Sequence, residues 1–343
     1  MEKILTVVIP SYNVERFLQE TLESFVEERV LKDIEVLVVD DGSKDGTAEI
    51  GKAFEQMYPG TFRVISKENG GHGSTINKGI EQCQGKYFKV VDGDDWVNTE
   101  DFCILVDKLK TCEADYVVTN YYEVNDQTGE KTKQDFSLLA EAADPATGVL
   151  SFEEAAKRVQ MPMHALVIRS SILKDNNIRL DEHCFYVDVE YILYPLPYVR
   201  TVAYFDLSVY MYRLALATQS VSIQGFQKHM QNHIDVILHL SVFAEKFRKN
   251  AEDAEALKID YICKRIAAMV GDQITIFISF SEKDKRIKEK FIQFDRELRE
   301  TSQYIYDLSV QESGTFKLLR TVKFKGYEMI VKSARKRNGL EEG

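Results

Sequence analysis

The chain has 343 residues, 44% hydrophobic and 29% charged, which is enough to bury a large core and excludes general disorder. A net charge of −11 argues against wholesale nucleic-acid binding, so no nucleic-acid partner is expected. No run reaches the roughly 18–20 apolar residues of a bilayer-spanning helix, no leader pattern precedes Ile4, and the five cysteines lack metal-ligand spacing; a cytoplasmic protein with reduced thiols is expected.

Ile4–Ile9 reads as a buried strand, after which Val14 to Val30 carries apolar residues at helical spacing. A second strand, Ile34–Val39, is closed by Asp40-Asp41-Gly42-Ser43. A helix over Thr47–Met57, a short strand over Phe62–Ile65 and a helix over Gly73–Cys83 follow. Tyr87–Val91 is a strand that ends abruptly in Asp92-Gly93-Asp94-Asp95; a helix over Phe102–Leu109 and a strand over Asp115–Thr119 come next. Buried strands alternating with helices predict an α/β fold with a doubly wound, mostly parallel sheet.

Beyond residue 120 the pattern loosens. Asn125–Gly129 reads as a turn, Phe152–Val159 as a helix and His164–Ile168 as a strand. Tyr186 onward is helical until Pro195, and Val202–Tyr212 makes one or two strands. After about residue 225 the chain is helical. The expected organisation is a domain over 1–223, with a first half to about 120 and a second half over 121–223, then a helical region with a basic tail over 224–343.

In a doubly wound sheet the ligand crevice lies outside the carboxyl ends of the strands. Three polar loops fall there: Pro10-Ser11-Tyr12-Asn13, Asp40–Ser43 and the acidic run from Asp92. Clustered anions repel one another unless a cation sits among them, and a hard divalent ion shares its oxygen shell with substrate phosphates. Tyr12 beside Pro10 can wall a planar base, and Asp40 can accept from a base N–H such as that of uracil. Asp41-Gly42-Ser43 is expected to fix the turn and cap the next helix. Trp96 and His164 read as packing residues.

Taken together, Val8–Asn13, Val38–Ser43, Asn69-Gly70-Gly71, Asn77-Lys78-Gly79 and Gly85–Asp95 resemble the family 2 glycosyltransferases of GT-A fold, in order and spacing. The resemblance covers about residues 4–215. It implies inverting transfer of a sugar, hexosyl or N-acetylhexosaminyl, from a nucleotide diphosphate sugar, by family habit a UDP-sugar. The acceptor it implies is a glycan or lipid-linked glycan. Asp92 and Asp94 match the D-x-D positions, implying metal binding by Mn2+ or Mg2+. The nucleotide-sugar contacts it implies are Pro10, Tyr12, Asn13, Asp40, Asn69, His72, Asn77, Asp92, Asp94 and Arg213.

The family's catalytic base lies in a Glu-Asp pair; here Asp188 matches the aspartate while Val187 replaces the glutamate, and Glu190 is the alternative. The family's arginine before Gly79 is absent, and His72 is expected to take over a contact near the diphosphate, where Gly70, Gly71 and Gly73 allow close approach. Tyr212-Arg213 with Ser220–Ser222 resembles a segment closing over the diphosphate. A sugar nucleotidyltransferase, or an inactive relative acting as a binding subunit, remains open as an alternative.

From Phe316 to Asn338 the chain carries eight basic residues against one acid, Glu328. Phe316, Leu319, Val322 and Ile330 fall near one helical face. This predicts a helix lying on an anionic membrane surface, with Gly326 weakening it.

Overall fold

The computed structural model describes residues 3–214, 223–252 and 255–340. The chain forms two compact units, Met1–Leu216 and Ala217–Gly343.

The first unit is built on one ten-stranded sheet. Its strands are β1 (Leu5–Ser11), β2 (Ile34–Asp40), β3 (Phe62–Ser66), β4 (Tyr87–Val90), β5 (Trp96–Val97), β6 (Tyr116–Asn125), β7 (Lys131–Gln134), β8 (Val149–Ser151), β9 (Leu166–Arg169) and β10 (Thr201–Leu214). The spatial order is β3-β2-β1-β4-β9-β6-β10-β5, with β7 on β6 and β8 on β10. Every residue of β1 and β2 is buried, and the polar breaks in their apolar runs answer each other, Thr6 Oγ1 donating to Glu35 Oε1 at 2.6 Å. β1 pairs in parallel with β2 and β4, β2 with β3, and β6 with β10. β9 runs antiparallel between β4 and β6, and β5, β7 and β8 join antiparallel as well, against six strands that share one direction. The sheet is therefore mostly parallel, as expected, and its order reverses between β1 and β4.

Helices α1 (Glu15–Glu23), α2 (Thr47–Met57), α3 (His72–Gln82), α4 (Thr99–Thr111), α5 (Phe152–Ala156), α6 (Ser170–Asp175) and α7 (Asp188–Leu193) make the connections. Three of them are shorter than the apolar spacing predicts, α5 ending at Ala156 rather than Val159. α1 stops at Glu23 rather than near Val30 because the Ser24 carbonyl accepts from Thr99 Oγ1 at 2.9 Å and its hydroxyl donates to Thr21 O at 2.7 Å. That carbonyl leaves the helical ladder. α7 begins at Asp188 because Tyr186 is left-handed, with φ 67°. β10 is one strand whose pairing with β6 shifts register between Phe205 and Tyr210. Such a bulge re-aims the residues beyond it.

The second unit is helical, as expected: α8 (Ile223–Lys228), α9 (Met230–Asn250), α10 (Ala256–Ser279), α11 (Lys285–Thr301), α12 (Gln303–Leu308), α13 (Gly314–Thr321) and α14 (Tyr327–Arg337). Its core is aromatic, with Phe277 stacked on Phe291 at 4.4 Å and Phe291 on Phe316 at 5.6 Å. The basic tail is corrected here. It is two helices, α13 and α14, separated by left-handed Lys323, Phe324 and Gly326. Phe316 and Leu319 are fully buried inside this unit and Val322 and Ile330 are half-buried, so half of the face predicted to meet lipid packs into protein. Among the described residues no helix is long and apolar enough to cross a membrane.

Candidate active site

The ends of β1, β2 and β4 carry the polar loops to one rim. Ser11 pairs with Asp40, and Tyr12 follows with 48% of its surface exposed. Asn13 is left-handed (φ 54°); its Oδ1 accepts from Lys44 N–H at 2.9 Å, and its own N–H donates to Ser43 Oγ at 3.0 Å. Pro10 lies inside β1, and its carbonyl accepts from Gly93 N–H at 3.2 Å, which joins the first loop to the acidic one.

The two aspartates of the second loop divide the work differently from the expectation. Asp40 fixes the turn, its Oδ1 accepting from Ser43 N–H at 2.9 Å. Asp41 does not cap α2; Asp45 takes that place, accepting from Thr47 N–H and Oγ1. Asp41 instead pins the loop over 67–74, accepting from Gly70 and Gly71 N–H at 2.9 and 2.8 Å and from Lys67 Nζ at 2.8 Å. Asn69 braces the same junction, donating to Asp41 O at 3.0 Å.

Gly71 and Gly73 serve a contact that spacing could not reveal. A Cβ on Gly71 (φ 82°) would stand 3.2 Å from the His183 backbone, and one on Gly73 would stand 2.0 Å from Asp181 O. These glycines admit the loop over 180–184, whose His183 N–H donates to Gly70 O at 2.5 Å. Asn77 holds that loop as well: its amide exchanges both bonds with the Leu180 backbone, at 2.8 and 2.9 Å. Buried and committed to Leu180, Asn77 is a brace rather than a ligand contact.

At the end of β4 the three carboxylates have three environments. Asp92 keeps a quarter of its side chain exposed and meets His72 Nε2 at 2.8 Å. Burial opposes ionisation of Asp92, but His72 outweighs it and holds the carboxyl below its usual range. Burial likewise pulls His72 down, yet Asp92, then Asp188 and Asp94, outweigh it and raise the imidazole. Asp94 is pushed up to about 6 by burial and by the neighbouring Asp92 charge. Asp95 is buried; it accepts from Tyr210 O–H at 2.6 Å and from Arg213 N–H at 2.7 Å. Burial first, then Asp94 and Asp92, push its carboxyl well above the ordinary value. The cluster carries more negative charge than its surroundings neutralise, which is what a cation site requires.

Arg213 does not face a ligand. Its Nε donates to Asp94 O at 2.7 Å, Nη1 to Asp126 at 2.6 Å and Nη2 to Glu20 at 2.7 Å. The guanidinium lies 4.5 Å from the Trp96 ring and 4.9 Å from that of Phe17. The expected phosphate contact is replaced by an internal one, because β10 passes directly beneath the acidic loop and pairs with β5 at Met211–Trp96. Trp96 packs as expected. Ser220–Ser222, expected to close over the diphosphate, lie outside the described residues.

On the second half of the sheet, Asp188 opens α7 two residues after left-handed Tyr186, and its charge acts on His72 and Tyr212. Glu190 points away into the interior, accepting from Asp181 N–H at 2.7 Å and Tyr194 O–H at 3.2 Å. Burial pushes Glu190 up to about 7.

His164, read from the sequence as a packing residue, reaches the cluster. Ligand atoms of Asp92, Asp95 and His164 all lie within 4.8 Å of one another. Its ring stacks on Tyr212 at 4.1 Å and meets Tyr210 edge-on at 4.9 Å. Burial pushes it down to about 4, so it is neutral near pH 7. Below it, Lys89 is fully buried in β4, donates to His164 O at 2.9 Å, and is pushed down to about 7 by burial. A lysine inside the apolar run Tyr87–Val91 was the one visible signal that something polar lay beside that strand.

The sheet order, with its switch between β1 and β4 and an acidic loop beyond β4, defines a GT-A-type fold. The crystal structure of S. aureus TarS 1–349 in complex with UDP-GlcNAc shares it, with a TM-score of 0.61 and 17% identity, over 97% of this chain and 92% of that one. Residues 6–174 match the family described as Glycosyl transferase family 2. Two similar relatives are from Streptococcus pneumoniae serotype 4. Glycosyltransferase GlyA is 38% identical over 125 residues, 36% of this chain and 18% of GlyA. Glycosyltransferase GlyG is 36% identical over 143 residues, 40% of this chain and 47% of GlyG. The chain thus spans less than half the length of either relative.

Proposed function

We propose that the protein is a metal-dependent, inverting glycosyltransferase. It moves a hexosyl or N-acetylhexosaminyl group from a UDP-sugar to a hydroxyl of a glycan or lipid-linked glycan. The observation that carries this reading is the acidic loop at the switch point with Asp188 from a distant helix acting on the same histidine, His72. In this reading residues 1–223 are the catalytic domain, donor half to about 120 and acceptor half beyond, and 224–343 are the helical region.

A divalent cation fits the residues present. Asp94 holds its proton up to about 6 because it is shielded from water and Asp92 is close, and the neighbouring negative charge favours Mn2+ or Mg2+. Asp92 and Asp94 would hold the ion, which when bound offsets the charge growing on the departing diphosphate. Tyr12 offers the base a ring face, with Asp40 on β2 opposite the neighbouring Ser11 and Asn13 locking that loop. His72 orients Asp92.

The acceptor hydroxyl gives its proton to the Asp188 carboxylate as its oxygen bonds to the anomeric carbon. The bond from that carbon to the diphosphate oxygen breaks on the opposite face, and UDP leaves. A positioned base of this kind contributes roughly 10²- to 10⁴-fold.

The test is incubation with radiolabelled UDP-sugars and Mn2+. Sugar transfer or slow hydrolysis with release of UDP is expected, reduced at least about 10²-fold in Asp188→Asn with UDP affinity unchanged. Release of pyrophosphate would instead make the protein a nucleotidyltransferase, and binding without turnover a binding subunit.

A peripheral place at the inner face of the cell membrane belongs to the same proposal, now on electrostatic grounds. Lys317, Lys325, Lys332 and Lys336 remain exposed, beside Leu318 and the 74% exposed Met329. Each basic residue near an anionic surface contributes about 1 kcal/mol.

A further inference from the structure

We propose that His164 is a nitrogen ligand of the divalent cation at the acidic loop, and that it biases the site toward a cation that accepts imidazole, Mn2+, over Ca2+. The inference rests on the metal-dependent reading above and adds a ligand from outside the Asp92–Asp95 run.

Three observations carry it. First, Asp92, Asp95 and His164 present ligand atoms mutually within 4.8 Å, two carboxylates and one imidazole. Second, His164 Nδ1 is buried and has no hydrogen-bond partner. A histidine buried for packing alone satisfies its nitrogens: His233 in the helical unit sets Nδ1 2.9 Å from Gln273 Oε1. A buried nitrogen without a partner, on a ring that sets one nitrogen beside two carboxylates, calls for a water or an ion. Third, the ring is held for a task that demands a fixed direction. Tyr212 stacks on one face, Tyr210 and Tyr121 pack around it at 4.9 and 5.3 Å, and Lys89 Nζ anchors its carbonyl. Lys89 and Asp92 lie three residues apart on the same chain segment, so one strand end positions both ligands. Tyr210 adds a second tie, donating to Asp95 Oδ2 while its hydroxyl accepts from Asp92 N–H at 3.1 Å.

Oxygen-only shells suit Mg2+ and Ca2+, whereas an imidazole nitrogen shifts preference along the transition series. His72 is the competing histidine, but its Nε2 is already bonded to Asp92 Oδ1, the place of a residue that orients a ligand rather than being one.

The test is electron spin-echo spectroscopy on the full chain loaded with Mn2+, with and without UDP. Wild type is expected to show modulation from a coordinated 14N that becomes a 15N pattern when histidine is 15N-labelled. His72→Gln should keep that signal. His164→Gln should lose it and weaken Mn2+ binding by roughly 10-fold or more, read by titration calorimetry, with Ca2+ affinity changed less than twofold. The labelled wild type needs no substitution, so a misfolded variant does not block the answer. Bound Mn2+ without histidine nitrogen, or a signal lost in His72→Gln and kept in His164→Gln, overturns the proposal while leaving the metal site standing. Absence of Mn2+ binding in wild type overturns both.

Discussion

Each unit buries one arginine between aromatic rings, and the two differ in a way that separates function from fold. Arg213 in the first unit lies against Trp96 and Phe17 and bonds Asp94 O, Asp126 and Glu20. Arg320 in the second sits 3.5 Å from the Tyr306 ring and 3.7 Å from that of Phe316, paired with Asp295 at 2.6 Å. Burial disfavours the charge of both. For Arg213 the surrounding acids outweigh it and the proton is held more tightly; for Arg320 they do not, and it is held less tightly. The sequence suggested a ligand for each, phosphate for one and lipid for the other. The interior claimed both, but only Arg213 stands beneath the run of three carboxylates, Asp92, Asp94 and Asp95.

The largest effect expected from this contrast is Arg213→Ala. Leaving Asp126 and the acidic loop without their counter-charge should cost about 3 kcal/mol in chemical denaturation and at least about 10²-fold in sugar transfer. Arg213→Lys should not restore transfer, because a single ammonium cannot span three acceptors. Arg320→Ala should cost about 2–3 kcal/mol by the same argument, yet leave UDP affinity within twofold. A tenfold fall in UDP affinity there would end the distinction between the two arginines.

A third measurement sharpens what burial does where no cation answers it. Glu190 has a folded-state value of about 7 against an ordinary 4.5, so the stability it contributes is fully present below 4.5 and is lost as pH rises through 7. Wild type should lose on the order of 2 kcal/mol between pH 5 and 8 relative to Glu190→Gln, followed by urea midpoint. The smallest stability effect is expected at the exposed lysines. Lys317→Glu with Lys325→Glu, Lys332→Glu and Lys336→Glu should stay within about 0.5 kcal/mol per site, yet abolish flotation with anionic vesicles; unchanged flotation would remove the membrane surface from the proposal. Deleting the tail is the poorer experiment, because it removes Phe316, Leu319 and Val331 from the core.

What was legible in the sequence was local. Continuous apolar runs announce β1, β2 and β4, and the loops at their ends announce the rim, because strand and ligand loop are neighbours along the chain. What was not legible depends on pairing across distance. β9 enters antiparallel between β4 and β6, and only that register sets His164 beside Asp92. Arg213 reads as a free cation until β10 crosses beneath the loop and Glu20, 193 residues away, closes on it. Asn77 and Gly73 carry ligand-site motifs, yet the chain that approaches them is the loop over 180–184. Tyr186 shows the complementary failure: periodicity alone starts a helix there, whereas its left-handed backbone delays the start to Asp188.

The tie between Asp95 and Arg213 spans 118 residues of chain, and that span is also a span of time. A ribosome adding about 5–20 residues per second needs on the order of ten seconds to travel from one to the other. Throughout that interval the acidic loop has emerged while the arginine and Tyr210 that seat it have not been made. The nascent domain can assemble β1, β2, β3 and β4 from contacts within its first 90 residues, but the acidic rim cannot be set until β10 arrives. Ordering of the rim is thereby deferred until nearly the whole first unit has been synthesised.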